Sequence, residues 1–271
     1  MKRVKRIGRE NKGRTVMVHL TRVSLSPERY PTEEYYPFNL STFRSLREIS
    51  FDSPVTFFVG ENGTGKSTLL EAISHRAGIH IWQNREGPRF ECNPYEEELY
   101  RYVSVHWSEG PVPGSFFSGE NFRDFSRYLE EWAVNDPPML AYFGGKSLLT
   151  QSHGQSLMSF FKTRYRIKGL YLLDEPETAL SPRSQMALLD LLNEMGRSGA
   201  AQFIVATHSP ILLACPEAMI YSFDHIPIRE VDYRETELFQ LYRDFLMARE
   251  SESKGNFPRS VQREGRPVPL A

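Results

Sequence analysis

Gly60-Glu61-Asn62-Gly63-Thr64-Gly65-Lys66-Ser67-Thr68 is the stretch on which the fold of this chain turns. The apolar run Val55-Thr56-Phe57-Phe58-Val59 precedes it, and Leu69-Leu70-Glu71-Ala72-Ile73 follows. Together they read as strand, glycine-rich loop and helix. The spacing from Gly60 to Gly65-Lys66-Ser67 is that of a phosphate-binding P-loop. Each residue type has a physical reason. Backbone N–H groups can lie against a triphosphate only where no side chain intervenes, and Gly60, Gly63 and Gly65 keep the loop bare. A helix starting near Lys66 would aim its unpaired N–H groups and positive dipole end at the phosphates. Lys66 would add a point charge at the β/γ oxygens, and the Ser67 hydroxyl could ligate Mg²⁺. The expected nucleotide cradle is therefore Gly60, Glu61, Asn62, Gly63, Thr64, Gly65, Lys66, Ser67 and Thr68.

Working outward, the composition sets few further limits. The 271 residues are 40% hydrophobic and 25% charged, ordinary for a globular chain with a sizeable core. A formal net charge of −1 gives no global argument for nucleic acid or anionic membrane. Cys92 and Cys215 lie far apart and form no metal-ligand pattern, which fits a reduced, cytoplasmic setting. The start Met1-Lys2-Arg3-Val4-Lys5-Arg6 is basic with no long apolar stretch behind it, so no signal peptide is expected. Polar and proline residues interrupt Ala200–Tyr221, so no membrane span is expected there either.

Residues 1–14 carry seven basic side chains against Glu10 and read as a flexible basic arm. Val16–Val23 and Leu46–Phe51 read as strands. Between them, Tyr30, Tyr35, Tyr36 and Phe38 could stack on an adenine, but with no motif around them packing is the preferred reading. Gly78 marks the end of the P-loop helix. Residues 79–118 read as a β-rich excursion with a hairpin whose arms are Tyr102–Trp107 and Ser115–Ser118. Asn121–Ala133 reads as a helix, and Thr150–Ser156 opens another. Gly169–Leu173 is a short continuous apolar run, as expected of a parallel strand buried on both faces, and Ala201–Ala206 reads as the next buried strand. Ser181-Pro182 is an N-cap followed by proline at the first helical position. Ala218–Phe223 and Ile228–Tyr233 read as final strands, and Leu238, Leu241, Tyr242 and Phe245 as the apolar stripe of a last helix. Residues 251–271 read as a flexible tail.

Three apolar strands, ending at Val59, Leu173 and Ala206, thus run into residues suited to triphosphate chemistry. In open α/β sheets ligands gather at the carboxyl ends of the strands. Asp174 is then placed to hold Mg²⁺, and Glu175 to orient and polarise an attacking water. His208, behind the Ala206 strand, could donate a hydrogen bond to the γ-phosphate or to that water.

Gly60–Ser67, Ser152-His153-Gly154-Gln155, Leu170–Pro176, Ala179–Pro182 and His208 follow the order found in ABC-type ATPases, which the chain resembles from about Val16 to Phe245. More narrowly it resembles small stand-alone bacterial ATPases labelled AAA and related to SMC and DNA-repair clamp heads. The phrases that carry this are Pro54–Gly63, Leu172–Glu177 and Ala206–Leu213. The resemblance implies an α/β P-loop NTPase of ABC type: a mainly parallel sheet, an N-terminal antiparallel β lobe and a helical signature subdomain. It implies one ATPase domain over 15–250, with an inserted lobe over about 79–165. Ser152, His153, Gly154 and Gln155 would be the signature that caps, in trans, the ATP of a second copy. Head-to-tail dimerisation with ATP and Mg²⁺ in the seam, and an unidentified protein partner, follow as expectations. The pattern departs at His153 and Gln151 in the signature and at Ser181 in the seam loop, where the family usually carries aspartate. Glu120 lies near the place of the second-lobe glutamine. The alternatives are a transporter's nucleotide-binding subunit, a DNA-associated ATPase and a slow ATP-sensing regulator. Glu177 speaks against the first, because transporter subunits usually have threonine there.

Overall fold

A computed structural model describes residues 18–81, 93–119 and 153–253. The fold is α/β, with one mainly parallel sheet and one small antiparallel sheet. Strands β1 (Leu20–Leu25), β2 (Glu48–Ser50) and β4 (Val103–Trp107) form the antiparallel sheet in the order β2-β1-β4. Strands β3 (Val55–Val59), β5 (Gly114–Ser118), β6 (Gly169–Asp174), β7 (Ala201–Ala206), β8 (Met219–Ser222) and β9 (Arg229–Glu230) form the other, in the order β5-β6-β7-β3-β8-β9. Neighbours from β5 to β8 are parallel, and β9 closes the edge antiparallel to β8.

The central parallel strands β3, β6 and β7 are mostly apolar because each buries both faces. On β6, Tyr171 and Leu173 face one core while Leu170 and Leu172 face the other. On β7, Phe203 and Val205 share the first core, and Ile204 and Ala206 the second. The first core is closed by α3 (His153–Arg164) through Leu157 and Phe161, and by α4 (Pro182–Ser198) through Leu188 and Leu192. The second is closed by α2 (Lys66–Ala77) through Leu69, Leu70 and Ile73, and by the antiparallel sheet through Leu20 and Val23. Burying each such side chain contributes about 1.5–3 kcal/mol.

Local signals decide the helix ends. Ser181 caps α4, its hydroxyl accepting from the Ser184 N–H, with Pro182 at the first helical position. Gly78 ends α2 and Gly199 ends α4, both left-handed. Shorter helices are α1 (Ser41–Ser45) and α5 (Pro210–Leu213), and α6 (Glu237–Ser253) comes last.

One expectation is overturned. Residues 103–118 form no hairpin: β4 pairs with β1 in one sheet and β5 with β6 in the other. A turn at 109–114 is locally indistinguishable from a hairpin loop, and only the partners available in the fold separate the two arms. The basic arm 1–14, the helix expected over 121–133, Glu120 and the tail from 254 lie outside the described residues. The expected stripe of α6 is amphipathic in sequence, yet Leu241, Tyr242 and Phe245 are exposed.

Candidate functional site

The loop after β3 takes the shape its glycines were expected to permit, with φ of 145°, 80° and 99° at Gly60, Gly63 and Gly65. Gly65 is needed twice over. Its φ is left-handed, and an added Cβ would lie 2.6 Å from Cζ of Phe43 in α1. The short α1 therefore packs directly over the loop. Lys66 is buried, and its Nζ donates to the Gly60 carbonyl at 2.6 Å and the Glu61 carbonyl at 2.9 Å. Burial lowers its pKa, opposed by the carboxylates of Glu175, Asp224, Asp174 and Glu61.

β6 and β7 deliver the acids and the histidine. Since β7 lies between β6 and β3, the three strand ends form one rim. Asp174, at the end of β6, accepts from the Ser67 hydroxyl at 2.9 Å. Burial pushes its carboxyl up to about 7; the Ser67 hydrogen bond opposes the shift and the Glu175 and Glu71 charges add to it. Glu175 holds a left-handed backbone, φ 45° and ψ 53°, which costs a non-glycine residue about 1 kcal/mol. Its N–H donates to the Ala206 carbonyl at 3.0 Å, and its carbonyl accepts from the Thr178 N–H at 3.2 Å and hydroxyl at 2.8 Å. These bonds fix the backbone that presents the acid. Glu175 Oε1 lies 3.7 Å from His208 Nε2.

His208 has its pKa lowered, first by burial and then by the Lys66 charge, so the ring is neutral near pH 7. Its Nε2 is buried without a hydrogen-bond partner. A buried donor or acceptor left in this way is costly, and it is a place where a ligand oxygen would be welcome.

The structure brings together Lys66, Ser67, Asp174, Glu175 and His208. Ser152 lies outside the described residues, and the His153 side chain is not described. α3 is described from His153 onward, and Gly154 and Gln155 lie at that end of it. An added Cβ at Gly154 would lie 3.6 Å from the Ala179 carbonyl, which puts this end beside the Ala179–Ser181 loop.

Several contributors were missed by sequence reasoning. Asp224 Oδ1 accepts from the Glu61 N–H at 2.7 Å, tying the end of β8 to the P-loop. The Tyr36 hydroxyl is hydrogen-bonded to the Thr68 hydroxyl, so one of the four candidate aromatics reaches the nucleotide loop by its polar end. Phe38 is buried, and Tyr30 packs edge-on to Tyr102. Glu177 accepts from the His208 N–H. The sequence singled Glu177 out as a departure from the transporter pattern, and its contact with His208 was not legible there.

The Ser67 hydroxyl and the Asp174 carboxylate are hard oxygen donors of the kind Mg²⁺ prefers, and a buried carboxyl held near pH 7 would be relieved by a cation. No cluster of three or more His, Cys, Asp or Glu side chains suited to a metal occurs among the described residues. Among the described residues no helix is long and apolar enough to cross a membrane.

Two family models match parts of this chain. A family described as "AAA domain, putative AbiEii toxin, Type IV TA system" matches residues 156–214, which include Asp174, Glu175 and His208. A second, described as "AAA domain", matches 38–75, which include the P-loop. The thiamine import ATP-binding protein ThiQ of Ruegeria sp. (strain TM1040) is 24% identical over 163 residues, covering 56% of this chain and 69% of that protein. The petrobactin import ATP-binding protein FpuD of Bacillus anthracis is 24% identical over 192 residues, covering 63% and 68%. Among solved structures, cbiO1 of Clostridium perfringens, part of the ABC transporter complex cbiONQ, aligns with a TM-score of 0.47 at 16% identity, covering 87% of this chain and 95% of that one.

Proposed function

We propose that the chain carries an ABC-type P-loop ATPase domain, supported by its matches to AAA-domain models and to transporter ATP-binding proteins, and that it binds ATP with Mg²⁺ and hydrolyses the β–γ anhydride. Hydrolysis takes place at a head-to-tail dimer interface, and the cycle drives or gates a protein partner. The observation that carries this reading is the shared rim of β3, β7 and β6. There a P-loop lysine, a Ser67–Asp174 pair 2.9 Å apart and a Glu175–His208 pair 3.7 Å apart lie together.

Each side chain has a task in this scheme. Lys66 exchanges the Gly60 and Glu61 carbonyls for phosphate oxygens, which accept from an ammonium more strongly. Ser67 and Asp174 would hold Mg²⁺, which when bound offsets phosphate charge. Glu175 orients the attacking water and accepts its proton. His208, neutral, donates to the γ-phosphate from a ring nitrogen. Ser152, His153, Gly154 and Gln155 close on the ATP of the second copy with the N–H groups at the His153 end of α3. The setting proposed is the cytoplasm.

The test combines two variants. Glu175→Gln with ATP should elute as a dimer in size-exclusion chromatography, return to monomer when ATP is removed, and hydrolyse ATP far more slowly than wild type. Lys66→Ala should neither bind nucleotide nor dimerise. Tight ATP binding by Lys66→Ala, or wild-type turnover by Glu175→Gln, contradicts the assignment. A second reading, the nucleotide-binding subunit of an importer, is favoured by the names of ThiQ and FpuD. Recovery of a membrane permease on ATP-loaded Glu175→Gln would select it.

A further inference from the structure

The loops after β6 and β7 are joined by two side chains that take no part in the scheme above. Glu177 sits in the 3-10 turn Pro176–Ala179 and reaches across to accept the backbone N–H of His208 through Oε1. Burial pushes its carboxyl above the usual range, and the hydrogen bond from the His208 N–H opposes the shift. The Thr207 hydroxyl accepts from the Ser209 N–H at 3.0 Å. The Ser209 hydroxyl donates to Gln185 Oε1 at 2.7 Å, and Gln185 Nε2 donates to the Leu180 carbonyl at 3.0 Å. Both strand-end loops are thereby laced into one unit, with His208 at its centre.

We infer that Glu177 is a positioning residue: its carboxylate brace on the His208 backbone sets where the imidazole stands relative to Glu175. The inference rests on the ATPase reading of the same site. Three observations support it. The acid is half-buried and forms no ion pair with a cation among the described residues, so its hydrogen bond from the His208 N–H is what holds it in place. The second oxygen, Oε2, is buried without a hydrogen-bond partner among the described residues, so one oxygen carries the brace. The His208 ring makes no hydrogen bond through Nε2, so the ring depends on its backbone for placement. Threonine or alanine at 177 would be too short to reach the His208 N–H. An amide would reach it, since only one acceptor oxygen is needed.

The brace is tested with Glu177→Ala, Glu177→Thr and Glu177→Gln. All three remove the same charge, and only Gln keeps an acceptor long enough to reach the His208 N–H. Misplacing a reacting group by an ångström costs about 10²-fold in rate. Glu177→Ala and Glu177→Thr should therefore lose about 10- to 100-fold in kcat with KM for ATP unchanged. Glu177→Gln should recover to within about threefold of wild type. Equal kcat in all four proteins overturns the inference. So does an equal loss in Ala, Thr and Gln, which would assign the effect to charge or folding. A second readout needs no turnover: the His208 ring is titrated by NMR in nucleotide-free protein. The ring should titrate differently in Glu177→Ala and Glu177→Gln, and identical curves overturn the brace. If wild type binds ATP without hydrolysing it, the ATPase reading fails, and this titration still decides the role of Glu177.

Discussion

Ser67 Oγ and Asp174 Oδ1 stand 2.9 Å apart, joining the first turn of α2 to the end of β6. The hydroxyl donates to a carboxylate that burial holds near pH 7, against 3.8 for an ordinary aspartate. Between those values the folded protein binds a proton that the unfolded chain has released. Stability from this group is therefore complete below about pH 4 and lost as pH rises to about 7, by up to ~1.4 kcal/mol per unit. Asp174→Asn keeps an acceptor for Ser67 and removes the titration. In metal-free, nucleotide-free protein, the advantage of Asp174→Asn over wild type should grow from pH 4 to pH 7 in urea denaturation. A constant difference would mean that Asp174 titrates alike in both states.

Gly119 is where β5 touches the loop that bears the acid. Its N–H donates to the Asp174 carbonyl at 3.0 Å. An added Cβ would lie 2.6 Å from the Glu175 carbonyl oxygen and 2.0 Å from the Thr178 hydroxyl. Both atoms hold Glu175 in its left-handed conformation. Gly119→Ala should cost about 1–3 kcal/mol in urea denaturation and slow turnover at least tenfold, with ATP affinity retained. Wild-type rate and stability together would show that the loop shifts aside freely.

Much of this site was legible in the sequence because its chemistry is written in short, contiguous motifs. The P-loop needs glycines at fixed spacing, and the acids need the end of a buried strand. Both conditions can be checked along the chain. Ser181-Pro182 and Gly78 were readable for the same reason, since a cap is satisfied within a few residues. The pairing of β4 and β5 was not, because nothing local says which of two sheets a short strand joins. Asp224 and Gln185 were invisible for a related reason. Asp224 acts on Glu61 from 163 positions away, and Gln185 on Ser209 from 24 away. Tyr36 was weighed among the aromatics for its ring, whereas its contact with Thr68 is made by its hydroxyl.

Gln202 was read only as one position of a buried strand, and it proves to be a polar staple. It is wholly buried on β7. Its Oε1 accepts from the N–H groups of His19 and Leu20 at 2.9 and 2.7 Å, and its Nε2 donates to the Leu20 carbonyl at 2.8 Å. Gln202→Leu fills the space and leaves these backbone groups unpaired, each costing about 1–3 kcal/mol. A net loss of about 3 kcal/mol is expected, with faster amide hydrogen exchange across Leu20–Leu25 than across Ala201–Ala206. Uniform acceleration in both strands would contradict the staple.

The separation of β4 from β5 carries a mechanical consequence. Ser108–Pro113 alone bridges them, so even a taut chain allows only ~24 Å between Trp107 and Gly114. β5 in turn lies against the strand that bears Asp174, and Gln202 fastens β1 to the strand that precedes His208. The small sheet is therefore tethered at two places to the strands that lead into Asp174 and His208, and any displacement of it is limited by both ties.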